Sequence, residues 1–156
     1  MGMFHEASNT DSAAAHSLKD ELSIAEAFTA IPLAMSAVDG NLDETELDCV
    51  GTYIGRMRIF GDYDNERIAG MFTKLLDVLD SKGVADLVKA AKLKLPNELR
   101  ETVFACAVDV AFADGMLVDT EKQLLKELYK FLDVSEKTAS MIIKVATIRN
   151  RGYGQW

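Results

Sequence analysis

Apolar residues recur along this chain at helical spacing, in segments short enough to pack against one another. The first clear segment starts at Ser23, which pairs with Glu26 as a capping box. Ala27, Phe28, Ile31, Ala34, Met35 and Val38 then follow the i, i+3, i+4, i+7 pattern of one helix face. Pro32 falls inside that pattern and is expected to kink the helix by removing one hydrogen bond. Asp39-Gly40 ends the segment, with Gly40 as the left-handed residue past the helix. Asp43 caps the next helix, which turns Leu47, Val50, Ile54 and Met57 inward and runs to about Arg58. Asp62 or Asp64 opens a third helix, through Ile68, Met71, Phe72, Leu75, Leu76 and Leu79. After Asp80-Ser81-Lys82-Gly83 a fourth carries Val84, Leu87, Val88, Ala91 and Leu95. Pro96 suits the first turn of a fifth helix, expected from about Asn97 to Ala113, with Leu99, Val103, Ala107, Val110 and Ala111 inside. A sixth follows with Leu124, Leu125, Leu128, Phe131 and Leu132. Ser135 with Glu136 opens a seventh, lined by Met141, Ile142, Val145 and Ile148.

The pattern predicts an all-α fold: a single-domain antiparallel bundle of about seven helices over residues 23–149. Residues 1–22 read as an N-terminal arm holding a short helix capped by Asp11 or Ser12. Residues 150–156 read as a tail whose Tyr153 and Trp156 can dock back onto the bundle. One stretch occurs twice, 75 residues apart: Asp39-Gly40-Asn41-Leu42-Asp43-Glu44-Thr45-Glu46 and Asp114-Gly115-Met116-Leu117-Val118-Asp119-Thr120-Glu121. The shared Asp-Gly-x-Leu-x-x-Thr-Glu implies pseudo-twofold halves, each a helix, a turn and a second helix. Val118 stands where the first copy has Asp43, which leaves Asp119 to cap the second copy's helix.

Composition narrows the function. At 156 residues with 49% hydrophobic and 27% charged, the chain is an ordinary globular domain with room for a core. No apolar run reaches the roughly 18–20 residues a membrane span requires. The N-terminus carries Glu6 and Asp11 and no basic stretch, so no signal peptide is expected. Residues 1–80 hold 15 acids against 5 bases and residues 81–156 hold 10 against 12, which gives −10 and +2 within a net −8. That balance argues against nucleic-acid binding, whose affinity rests largely on neutralising phosphates. Lys82, Lys89, Lys92, Lys94 and Arg100 form a modest basic cluster without interleaved aromatics and read as a solvated face. His5 and His16 have no second ligand nearby and read as surface histidines. Cys49 and Cys106 lack metal-ligand spacing and read as reduced packing residues.

Each residue of the repeated stretch has a folding role: Gly ends a helix, Leu fills the corner, an acid caps the next helix. The same acids also match the second half of a calcium loop, where Asp-Gly, an apolar residue and a final Glu occur at this spacing. The first half is absent. Met35 and Ala37, or Val110 and Phe112, occupy the positions of two ligands, which argues against a complete EF-hand. A divalent-metal site then requires the two halves to face each other, or water to complete the shell. Asp109 lies on an otherwise apolar helix face and needs a partner: an Arg or Lys, a helix N-terminus, or a metal. Catalysis is not expected. No Ser or Cys has a histidine to activate it, and no Gly-rich loop cradles a phosphate.

Ala25-Glu26-Ala27-Phe28 with the first Asp-Gly stretch, then Leu95-Pro96-Asn97-Glu98-Leu99-Arg100-Glu101-Thr102-Val103-Phe104 with the second, resemble the TerB tellurite-resistance family over about residues 22–149. The resemblance implies an all-helical pseudo-symmetric fold and a cytoplasmic, non-enzymatic protein of the tellurite and chemical-stress response. It also implies protein partners and peripheral association with the inner membrane face. It further implies an acidic metal-chelating cluster, which by position is Asp39, Glu46, Asp114 and Glu121, with Asp109 as a further candidate and the metal a divalent cation. Related domains occur beside J-domains, but no His-Pro-Asp signature is present here. The other reading open to the residues is an acidic protein-interaction scaffold whose carboxylates serve only as helix caps.

Overall fold

The computed structural model describes residues 13–38, 42–114, 117–152 and 154. Eight α-helices and no strand occur among the described residues. They are α1 (Ala13–Glu21), α2 (Ile24–Val38), α3 (Glu44–Gly55), α4 (Asn65–Lys82), α5 (Val84–Lys94), α6 (Arg100–Ala111), α7 (Asp119–Phe131) and α8 (Glu136–Arg149). The expected caps Asp11 and Ser12, His5, the Asp39-Gly40 and Gly115 turn residues, and Tyr153 and Trp156 lie outside the described residues.

The centre of the fold is α2. Every residue from Ala27 to Ser36 is buried, so the helix is covered on all sides rather than along one stripe. It packs against α3, α4, α5 and α6. Its start is fixed by the expected capping box: Ser23 N–H donates to Glu26 Oε1 at 2.8 Å, and Glu26 N–H donates to Ser23 Oγ at 3.1 Å. The helix continues through Pro32 without a break. Its two buried hydroxyls bond to their own helix, Thr29 Oγ1 to the Ala25 carbonyl at 2.9 Å and Ser36 Oγ to the Pro32 carbonyl at 3.3 Å. Burial therefore leaves neither of them unsatisfied.

The other helices close around α2 and α6. Ala15, Leu18 and Leu22 seat α1 and its end in the core, against α5. Asp43, Asp64 and Ser135 cap α3, α4 and α8 by accepting the third-residue N–H at 2.9, 2.8 and 3.1 Å. Gly83, at φ 86°, joins α4 to α5 in a conformation that costs other residues free energy. Phe60 links α2 to the α3–α4 connection through edge contacts with Phe28 at 5.6 Å and Tyr63 at 5.4 Å.

Two expectations change. The fifth predicted helix is not continuous from Asn97 to Ala113. A 3-10 turn (Asn97–Leu99) leads in, α6 proper covers Arg100–Ala111, and a second 3-10 turn (Phe112–Asp114) leads out. Pro96 caps the first of these turns in extended geometry, so the chain enters tightly before the α-helical repeat begins. The basic cluster is not wholly a solvated face either. Arg100 Nη1 and Lys92 Nζ lie 3.0 and 3.5 Å from Asp133 Oδ2, and Lys92 sits 4.9 Å from the centre of the Phe131 ring. Asp133 itself has φ 58°. The two cations thus tie α5 and α6 to the turn that ends α7.

The burial of α2 gives a direct stability expectation. Phe28 is fully buried against Phe60, so Phe28→Ala should lower unfolding free energy by about 3–5 kcal/mol. Ile148→Ala, at a half-exposed position on α8, should change it by less than about 0.5 kcal/mol. Urea denaturation of the two variants checks both.

Candidate functional site

The two repeats meet. A cleft of about 50 Å³ is lined by Met35 and Ser36 of α2, Glu46 of α3, Ala107, Val110 and Ala111 of α6, and Glu121 and Leu124 of α7. Three pairs in this lining are related by the 75-residue offset: Met35 with Val110, Ser36 with Ala111, and Glu46 with Glu121. Equivalent positions of the halves therefore face one shared space.

Local structure explains why the glutamates point there. Both occupy the third position of their helices, α3 and α7, after a turn whose leucine packs on the core, Leu42 in one copy and Leu117 in the other. That leucine fixes the entry of the chain, and the helix then presents its first turn toward the partner repeat. The positive end of the helix dipole favours negative charge at such a position. Both glutamates are half-buried. Glu121 Oε1 accepts the Val118 N–H at 3.3 Å. Asp119 does not take the cap as expected. It is the first residue inside α7, and Val118 stands at the N-cap with no acceptor of its own, so only the return half of a capping box forms.

The sequence-predicted acids do not all converge. Glu46 and Glu121 share the cleft. Asp114 ends the 3-10 turn after α6, but its side chain, like Asp39 entirely, lies outside the described residues. Asp109 lines a different groove with Tyr53, Cys106 and Arg149, and its Oδ1 accepts from Arg149 Nη2 at 2.7 Å. The acid expected to need a partner has an arginine 40 residues away in sequence, a pairing the helix pattern alone could not single out. Among the described residues no three of His, Cys, Asp and Glu are grouped as metal ligands. Ser36 was not foreseen as a lining residue. Its signal was present, since it stands beside Met35 one turn before the repeated stretch.

The cleft suits a small, hard ligand. Its polar side chains are two carboxylates and one hydroxyl, set among Met35 and four apolar side chains. Its volume holds an ion with a water molecule or two rather than an organic substrate. No histidine lines it, so it offers no imidazole for proton transfer. Near Asp109, burial first, then the charges of Asp109 and Cys49, push the Cys106 thiol up to about 12, which keeps it unreactive near neutral pH.

That shift fixes a sign. An unfolded thiol ionises near about 8.5. Folded Cys106 stays protonated up to about 12. Between these values the native state binds the extra proton, so this contribution to stability is complete below the lower value and declines as pH rises. Cys106→Ala should therefore lose less stability than the parent chain from pH 8 to pH 10. Urea unfolding at several pH values measures it.

A family model described as "Tellurite resistance protein TerB" matches residues 25–143, most of the chain. Comparison with curated proteins and with solved structures finds no match. Among the described residues no helix is long and apolar enough to cross a membrane.

Proposed function

As the chain belongs to the TerB family, we propose that it is a non-enzymatic stress-response module that holds a divalent cation between its two halves. The observation that carries the reading is that Glu46 and Glu121, equivalent residues of the two repeats, line one small oxygen-donor cleft. Calcium, magnesium and manganese accept such donors, and water can complete the coordination shell. Asp39 and Asp114, the first residues of the two repeated stretches, are the further ligands in this reading. Asp109 is assigned an ion-pair role with Arg149 instead. A bound cation would offset the repulsion of the two carboxylates and tie α3 to α7.

The alternative is an acidic protein-interaction scaffold. The Asp43 and Asp64 caps favour it, because they spend carboxylates on helix ends. A partner whose binding weakens with salt and ignores divalent cations would select that reading.

Thermal unfolding after chelation, with calcium, magnesium, manganese and zinc added back singly, tests the proposal. A cation at 100 times its dissociation constant should add about 2.7 kcal/mol. That corresponds to roughly 5–10 °C in Tm for a domain of this size. The shift should vanish in Glu46→Gln combined with Glu121→Gln, with helical content unchanged. No shift for any of the cations would refute the metal reading.

A further inference from the structure

A second groove, of about 480 Å³, shares no lining residue with the carboxylate cleft. Its floor is another face of α6, where Thr102, Ala105, Cys106 and Asp109 recur at i, i+3, i+4 and i+7. Its walls are the C-terminal ends of α3 and α8, which contribute Arg56 and Arg149. Two guanidinium groups and the one Asp109 carboxylate give this lining a net +1, in a chain whose net charge is −8.

The groups in the groove are held but not used up. Arg149 is anchored by one hydrogen bond to Asp109 at 2.7 Å, which leaves most of its five N–H donors available. Arg56 lies 5.8 Å from the Tyr53 ring centre and makes no ion pair among the described residues. Thr29, Thr52, Thr73 and Thr147 each donate to the carbonyl four residues back in their helices. Thr102 makes no such bond among the described residues, so its hydroxyl is available on the floor. The Cys106 thiol, neutral well above physiological pH, adds no negative charge there. Asp109 cancels one guanidinium, so the remaining charge matches a singly charged head better than a dianion. The volume falls within the range of small-molecule sites and far exceeds a bare inorganic anion, and Met57, Ala105 and the Tyr53 ring give an organic body apolar contact.

We propose that this groove binds a small organic monocarboxylate, its head taken by Arg56 and Arg149 and its body resting on α6. Guanidinium groups recognise carboxylates through paired N–H bonds, which gives the site its preference. The groove is lined by residues outside the Glu46–Glu121 cleft, so the proposal stands apart from the metal reading.

The test is a titration of the isotopically labelled full chain with benzoate, followed by amide chemical shifts, with chelator present throughout. Benzyl alcohol and phenyl phosphate serve as neutral and dianionic counterparts. Benzoate should shift the Thr102, Ala105 and Cys106 amides saturably, with one dissociation constant. Benzyl alcohol should not shift them at the same concentrations, and phenyl phosphate should bind more weakly than benzoate. Arg56 is exposed, so Arg56→Gln should keep the parent Tm while weakening benzoate about tenfold or more. No saturable shift at these amides, equal shifts from benzyl alcohol, tighter binding of phenyl phosphate, or unchanged affinity in Arg56→Gln would each overturn the proposal.

Discussion

The burial of α2 on all its sides is the constraint from which the rest follows. A helix with ten successive buried residues cannot lie on a surface, so other helices must surround it. α5 and α6 supply most of that cover, together with α3 and α4. Because α6 is the counterpart of α2 in the second repeat, covering one with the other sets the two halves face to face. Packing energy does this work, and the two buried hydroxyls of α2 stay bonded within their own helix. The approach of the two carboxylates is a consequence of it.

The proposed site lies where the two halves meet, with Glu46 and Glu121 half-buried in one cleft. The Arg149–Asp109 pair has a plainer explanation, because it satisfies an acid on an apolar helix face. The same physics thus separates the two groups of acids. Asp109 pairs with Arg149, whereas Glu46 and Glu121 line one small cleft.

Most of the fold was legible in the sequence because its helices are amphipathic or wholly apolar at regular spacing and carry explicit caps. Ser23–Glu26, Asp43, Asp64 and Ser135 all act where the residue types place them. Boundaries failed where geometry rather than periodicity decides: Pro96 leads into a 3-10 turn instead of an α-helix, and Val118 holds a cap position with no acceptor. The Glu46–Glu121 pairing was legible as a condition, that the halves face each other, since the repeat gave the equivalence but not the approach. The choice of Arg149 as the partner of Asp109, and the groove where Arg56 and Thr102 meet, were not legible. They are assembled from the ends of α3 and α8 and one face of α6, segments about 50 residues apart in sequence, and no local pattern encodes such a meeting.

In the proposed site, residues 75 apart in sequence act together. Manganese titrated into labelled protein tests it most directly, because a paramagnetic ion broadens the signals of nearby nuclei. The Glu46 and Glu121 amides should broaden together, with one midpoint and one ion per chain, while the amides of α1 stay sharp. Broadening at only one of the two turns, at two separate midpoints, or at neither turn would contradict it.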